Sequence, residues 1–273
     1  MGCDRYADLR HKACTPWACT PAKLIKELQK TQLMLAAREG NFEVVKMLLK
    51  TDGIEVNQTD SYGNTPLIWA STEGHTKTVK ILLETEGIQV NQKNHYGSTP
   101  LSWAASEGHN TIVAMLLERD EVQVNTADNH GYTPLIWAAY KGYDKIFEML
   151  LGREDIRVNQ QQFEGASTLH FAAGYGHVKV VELLLKKEDI QVNMATIDGE
   201  TPLFVAALSG HDKVVKQLLK KEGIEANQAD SAGQTPISVA ADQLNGKIVN
   251  LLLGTDEIRA IGWTGWRPIA TPG

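Results

Sequence analysis

Cysteine is nearly absent from this chain: there are three, Cys3, Cys14 and Cys19, all within the first twenty of 273 residues. A disulfide framework is therefore excluded for the remaining length, and a reducing, cytoplasmic setting is expected. Nowhere do eighteen apolar residues run together, so no segment qualifies as a membrane-spanning helix. The first residues carry no apolar signal-peptide core. Basic residues form no long stripe and the net charge is −6, which argues against nucleic acid as a partner. The Lys186-Lys187 and Lys220-Lys221 pairs fall at the ends of apolar helical stretches, where cations suit the helix dipole and face water. Also missing are a phosphate-cradling Gly-rich loop, Gly-x-Ser-x-Gly, His-Glu-x-x-His and a Cys-His protease pattern. No cofactor is implied. Cys3, His11, Cys14 and Cys19 lack the paired short arms of a closed zinc site, so no metal is expected. Met1-Gly2-Cys3 hints at acylation, but Tyr6 stands where a myristoylation signal wants Ser or Thr. Aromatics make up only 7% of the chain, so where they concentrate carries information.

What the chain does have is a period. Gly63, Gly97, Gly131, Gly165, Gly199 and Gly233 are spaced 34 residues apart. A fixed period of this length marks a supersecondary unit copied and stacked. After the glycine come Thr65-Pro66-Leu67, Thr99-Pro100-Leu101, Thr133-Pro134-Leu135, Thr201-Pro202-Leu203 and Thr235-Pro236-Ile237. Threonine caps the first amides of a helix, and proline suits a first turn that needs no amide hydrogen. Ala104-Ala105, Ala138-Ala139, Ala172-Ala173, Ala206-Ala207 and Ala240-Ala241 allow close approach of a neighbour. Gly74, Gly108, Gly142, Gly176 and Gly210 end this first helix. A second helix follows, with apolar residues at helical spacing such as Val113, Leu116 and Leu117. The unit closes on Asn57, Asn91, Asn125, Asn159, Asn193 or Asn227, each expected to hydrogen-bond a turn.

Gly-x-Thr-Pro-Leu, the alanine pair, Gly-His, the Leu-Leu helix and Val-Asn together resemble the ankyrin-repeat family. The resemblance implies an all-α repeat solenoid of antiparallel helix pairs, joined by β-hairpin fingers and stacked around a concave groove. It spans an ankyrin-repeat domain over residues 31–264, with repeats starting near 31, 63, 97, 131, 165, 199 and 233. Residues 1–30 form a leader with a capping helix, and residues 265–273 a truncated repeat whose Trp266, with Trp263, covers the last apolar face. The period is one residue longer than the common spacing. The extra residue falls at Glu84-Thr85-Glu86-Gly87 and its copies, where it lengthens a loop without shifting the core.

Some repeating positions read as structural. His75, His109, His177 and His211 occupy the Gly-His turn, and His170 fills the slot after Ser167-Thr168-Leu169. Trp69, Trp103 and Trp137, followed by Phe171, Val205 and Val239, form a ladder expected to pack repeat on repeat. Other positions diverge, and the resemblance implies that finger tips, the residue after the key glycine and the end of the first helix line the groove. These read Tyr62 in the second repeat, His95 and Tyr96 in the third, and His130, Tyr132, Tyr140 and Lys141 in the fourth. Phe163, Glu164 and Tyr175 follow in the fifth, and Tyr143 replaces a Gly-His histidine. Aromatics thus gather mid-array, and tyrosine supplies contact area with few rotors and one polar handle.

The expected function is a non-enzymatic interaction module that holds a protein or peptide segment in the groove of repeats three to five. The alternative is an enzyme or receptor for a small apolar molecule, with His95, His130, Tyr132 and Glu164 as acid–base candidates. An enclosed pocket with a histidine beside a carboxylate is the feature that would favour it.

Overall fold

The computed structural model describes residues 32–255 and Ile258. The leader, the Cys3–Cys19 set with His11, the capping helix and the terminal Trp263/Trp266 cap lie outside the described residues. The fold falls into two compact units, one ending at Gln89 and the other beginning at Val90.

In the first unit, α1 (residues 32–38) and α2 (Phe42–Leu48) are followed by α3 (Pro66–Thr72) and α4 (Thr76–Leu83). The second unit repeats the pair five times: α5 (Pro100–Ser106) with α6 (Asn110–Leu117), α7 (Pro134–Lys141) with α8 (Asp144–Leu151), and α9 (Thr168–Gly174) with α10 (Val178–Leu185). The pairs α11 (Pro202–Leu208) with α12 (Asp212–Leu218) and α13 (Pro236–Asp242) with α14 (Gly246–Leu253) complete it. Within this unit first helices stack on first helices and second on second, always between adjacent repeats.

The local chemistry is the same in each copy. Thr133 Oγ1 accepts from the Ile136 amide at 3.2 Å, and Thr65, Thr99, Thr201 and Thr235 do likewise. In the fifth repeat, where proline is lost, Ser167 and His170 form a reciprocal capping box and α9 starts in register. That departure is a substitute cap. Ala138 and Ala139 of the first helix and Leu150 and Leu184 of the second helices are fully buried.

The fingers are tight turns. Among the described residues there is no named strand, only an isolated bridge between Gln161 and Ser167. The expected β-hairpins reduce to tight turns, each closed by its own backbone bonds, as Asp128 N to Tyr132 O at 3.0 Å, and each tip adds one bond to its neighbour. Asn129 N donates to Tyr96 O, Phe163 N to His130 O, Ile197 N to Glu164 O and Ser231 N to Asp198 O, at 2.8–3.2 Å. Each turn is braced from inside: Asp128 Oδ1 accepts from the His130 and Tyr132 amides at 2.9 and 3.0 Å. The key glycines serve this contact twice over. Gly131 has φ +86°, and a Cβ there would sit 2.8 Å from Gln162 Cα on the following finger. After α13, where the other first helices end on a glycine, Leu244 takes that place at φ 56°, the sole left-handed non-glycine residue described.

Asparagine and histidine clip the repeats together. Asn125 donates to Asp155 O at 2.6 Å and accepts from Arg157 N at 2.9 Å, and Asn57, Asn91, Asn159 and Asn193 make the same pair of bonds one repeat on. The carbonyl that asparagine reaches lies in the stretch that holds the extra loop residue, as Gly87 O does for Asn57. His177 rides over Gly142 and His211 over Gly176, each donating from Nε2 to a carbonyl 37 residues back. Arg153, Lys187 and Lys221 reach back to Leu117 O, Leu151 O and Leu185 O, so these cations cap the preceding repeat's second helix as well as their own.

Candidate functional site

The mid-array aromatics come together. Tyr132 stacks on Trp137 with ring centroids 4.7 Å apart and tilts against Phe171 at 5.3 Å. Tyr140 meets Trp137 and Phe171 edge-on, both at 5.9 Å, and meets Tyr175 edge-on at 4.6 Å. Each ring arrives by a repeated device: Tyr132 follows the key glycine, Trp137 and Phe171 occupy the same position of α7 and α9, and Tyr140 and Tyr175 end those helices. The ladder position does pack repeat on repeat, as its spacing predicts. In the fourth and fifth repeats it also exposes ring faces, so Trp137 and Phe171 join the site although sequence reasoning assigned them to packing alone. Their half-buried state could not be read from period, because the same slot holds Val205 and Val239 further on.

Trp137 is aimed by its indole N–H, which donates to Asp128 Oδ2 at 3.2 Å. Trp69 does the same with Asp60 at 2.9 Å in the first unit, where the Arg38 guanidinium lies over its ring. In the third repeat Asn94 replaces the aspartate, and the Trp103 indole nitrogen has no hydrogen-bond partner.

Two depressions open beside the cluster. One, about 430 Å³, is floored by Tyr132, Phe171 and Tyr175 and walled by Glu164, Asp198 and Glu200. The other, about 310 Å³, lies between His130, Tyr132, Trp137, Phe163 and Glu164. Tyr132, Gln162 and Glu164 line both, so the two adjoin along one trough-like surface. Its rim is open: Phe163 is 74% and Tyr175 53% exposed. Burial, with the Glu164 carboxylate next, raises the Tyr132 phenol above its ordinary value. A hydrogen bond with Tyr140 raises the Tyr175 phenol. Partial burial and the carboxylates of Asp198 and Asp230 hold the Glu200 carboxyl above the usual range.

His170 backs the larger depression and is a closed residue. Its Nδ1 accepts from the Ser167 amide at 3.0 Å, which makes Nε2 the protonated nitrogen, donating to Glu200 O at 3.0 Å. Burial pushes its imidazole down to about 4. Both nitrogens are committed, Nδ1 to capping α9 and Nε2 to holding the fifth repeat on the sixth.

The predicted residues divide as follows. Tyr132, Tyr140, Phe163, Glu164, Tyr175 and His130 gather at the trough. Lys141 places its ammonium 5.4 Å over the Tyr140 ring. His95 and Tyr96 form the preceding finger, tied to Asn129 by two backbone-carbonyl bonds, and line neither depression. Tyr62 lies in the first unit, braced by Asp60. Tyr143 packs over Gly108 in the Gly-His manner and does not reach the trough, which corrects its reading as a contact residue. Of the four acid–base candidates, His130, Tyr132 and Glu164 share one open depression and His95 stands apart. No group of three or more His, Cys, Asp or Glu among the described residues is arranged to hold a metal ion. None of the helices described is long and apolar enough to cross a membrane.

A family described as ankyrin repeats (3 copies) matches residues 11–94, 86–162, 142–230 and 169–261. Among solved structures, the crystal structure of the ankyrin repeat domain of Bcl-3, described as a unique member of the IkappaB protein family, superposes with a TM-score of 0.70. The two chains are 22% identical, and the match covers 82% of this chain and 98% of that one. No curated protein matches the sequence.

Proposed function

Because the chain belongs to the ankyrin-repeat family, whose fold is a general protein–protein interaction scaffold, we propose that it binds a protein segment along the trough of repeats four to six. The observation that carries the reading is the five-ring cluster of Tyr132, Trp137, Tyr140, Phe171 and Tyr175 beside two adjoining open depressions. Rings held by one another lose little freedom on binding, so contact area is gained at low entropic cost. Sequence reasoning centred the contact on repeats three to five. The depressions favour a centre about one repeat further on, since Asp198 and Glu200 close the wall and His95 and Tyr96 do not take part. An acidic wall is unsuited to nucleic acid. Repeats free of cysteine fit a reducing, cytoplasmic setting.

The test is capture from source-cell extract by wild type and by the Tyr132→Ala/Tyr140→Ala double variant, followed by affinity measurement on the recovered segment. A protein segment bound by wild type and weakened at least about 30-fold by the double variant is expected, since a hot spot contributes roughly 2 kcal/mol or more. Unchanged circular dichroism shows that the variant folds. Equal affinity for both proteins, or recovery of a small molecule alone, overturns the reading.

A further inference from the structure

The larger depression pairs two kinds of surface seldom found together without a ligand to match. Its floor is aromatic, from Tyr132, Phe171 and Tyr175, and its wall is carboxylate, from Glu164, Asp198 and Glu200. No lysine or arginine lines it. The carboxylates come from two successive fingers: Glu164 on one tip, Asp198 on the next, and Glu200 just after that finger's key glycine. They are too dispersed to enclose a metal ion. Spread along one wall opposite ring faces, they suit an organic cation with a flat or extended body.

The molecule shows the same preference internally. Its own Lys141 ammonium sits over Tyr140 on the edge of the cluster, and in the first unit Arg38 sits 4.8 Å over Trp69. The rings that floor the depression have no such internal cation among the contacts seen. Ring quadrupoles attract positive charge, and the attraction grows when the site is partly desolvated. Burial first, and neighbouring carboxylates after it, raise the Glu200 carboxyl and the Tyr132 phenol, and a cation would offset the carboxylate share.

From this complementarity we infer that the depression receives an arginine side chain of the bound protein segment, its guanidinium lying on the aromatic floor and its N–H groups on the carboxylate wall. Arginine fits better than lysine because its planar fork stacks on a ring and engages carboxylates two at a time, whereas an ammonium is a hydrated point charge. The inference rests on the reading that the trough binds a protein segment, and it names what that segment presents.

The experiment is selection of a random dodecapeptide library on the intact protein, with Tyr132→Ala and Glu164→Gln/Glu200→Gln proteins as counter-targets. Expected is enrichment of arginine at one fixed position in peptides whose binding depends on Tyr132. Replacing that arginine by citrulline, isosteric but neutral, weakens binding at least tenfold. Lysine at that position weakens it less than citrulline does, and the double glutamine variant loses the preference while still folding. Tyr132-dependent peptides that carry no cation, or that tolerate citrulline, overturn the arginine inference and leave the binding trough standing. A stronger response to lysine than to arginine likewise overturns it. Recovery of no peptide that depends on Tyr132 overturns both.

Discussion

A residue in this fold is specified either by what it contacts in its own repeat or by what it contacts in the next, and His170 does both. Its ring caps α9 through Ser167 and binds the sixth repeat through Glu200 O. It is neutral in the fold, because burial holds it near 4 while an unfolded histidine titrates near its ordinary 6.5. The unfolded chain therefore takes up this proton first as pH falls. The stabilisation is complete above 6.5 and is lost between 6.5 and 4, by roughly 3 kcal/mol over that window. Urea midpoints measured from pH 7 to pH 4 should fall accordingly for wild type. His170→Gln should start lower at pH 7 and show a shallower decline; an unchanged slope would dismiss the assignment. The slot after Thr-Pro-Leu marked this histidine as structural in the sequence. Its second partner, a carbonyl thirty residues away, was not legible there, because it depends on how far one repeat is rotated on the next.

The elements are short helices of seven or eight residues, too short to persist alone in water. Their stability comes from neighbours, and the repeated asparagine makes much of the connection on the finger side. Asn159 donates to Asp189 O at 2.7 Å and accepts from Gln191 N at 3.0 Å. Asn159→Ala removes both bonds at an exposed site where water takes over the freed amide and carbonyl, which should cost about 1 kcal/mol. Equilibrium unfolding reads the cost, and amide exchange should accelerate at Gln191 while the Gln123 amide, held by Asn91, keeps its rate. The helices themselves were legible from Thr-Pro, the alanine pairs and the Leu-Leu spacing. The fingers were legible as places but not as conformations. The family resemblance implied hairpins; each finger is a turn closed on itself, as Asp128 N closes on Tyr132 O, and it also bonds to the next tip, a pairing that no single copy of the motif can express.

For the second unit as a body, stacking only between adjacent repeats makes stability close to a sum of repeats and interfaces. One broken interface should then divide its unfolding. Gly165 is the place to break it: φ is +83°, and a Cβ would meet Ile197 N and Thr196 Cα at 3.0 Å. With Gly165→Val, amides of α11 to α14 should exchange at lower denaturant than those of α5 to α8, where wild type loses both together. Coincident loss in the variant would show coupling longer than nearest-neighbour. Net charge also acts at this scale: with the chain at −6 and carboxylates lining the depression, the association rate of the proposed arginine-bearing segment should fall as salt rises.

The sequence by itself determined the family, the period, the start and stop of each helix and the aromatic enrichment mid-array, because these depend on residue types repeated at constant offsets within one copy. It also pointed to Tyr132, Tyr140, Glu164 and Tyr175, whose slots diverge from copy to copy. Only the tertiary structure decided that Trp137 and Phe171 belong with them, that Tyr143 fills a packing role over Gly108, and that Asp198 and Glu200 close an acidic wall. The physical reason is that a depression lies between repeats. Its walls are set by the rotation and rise from one copy to the next, which are properties of the interface and not of any one motif.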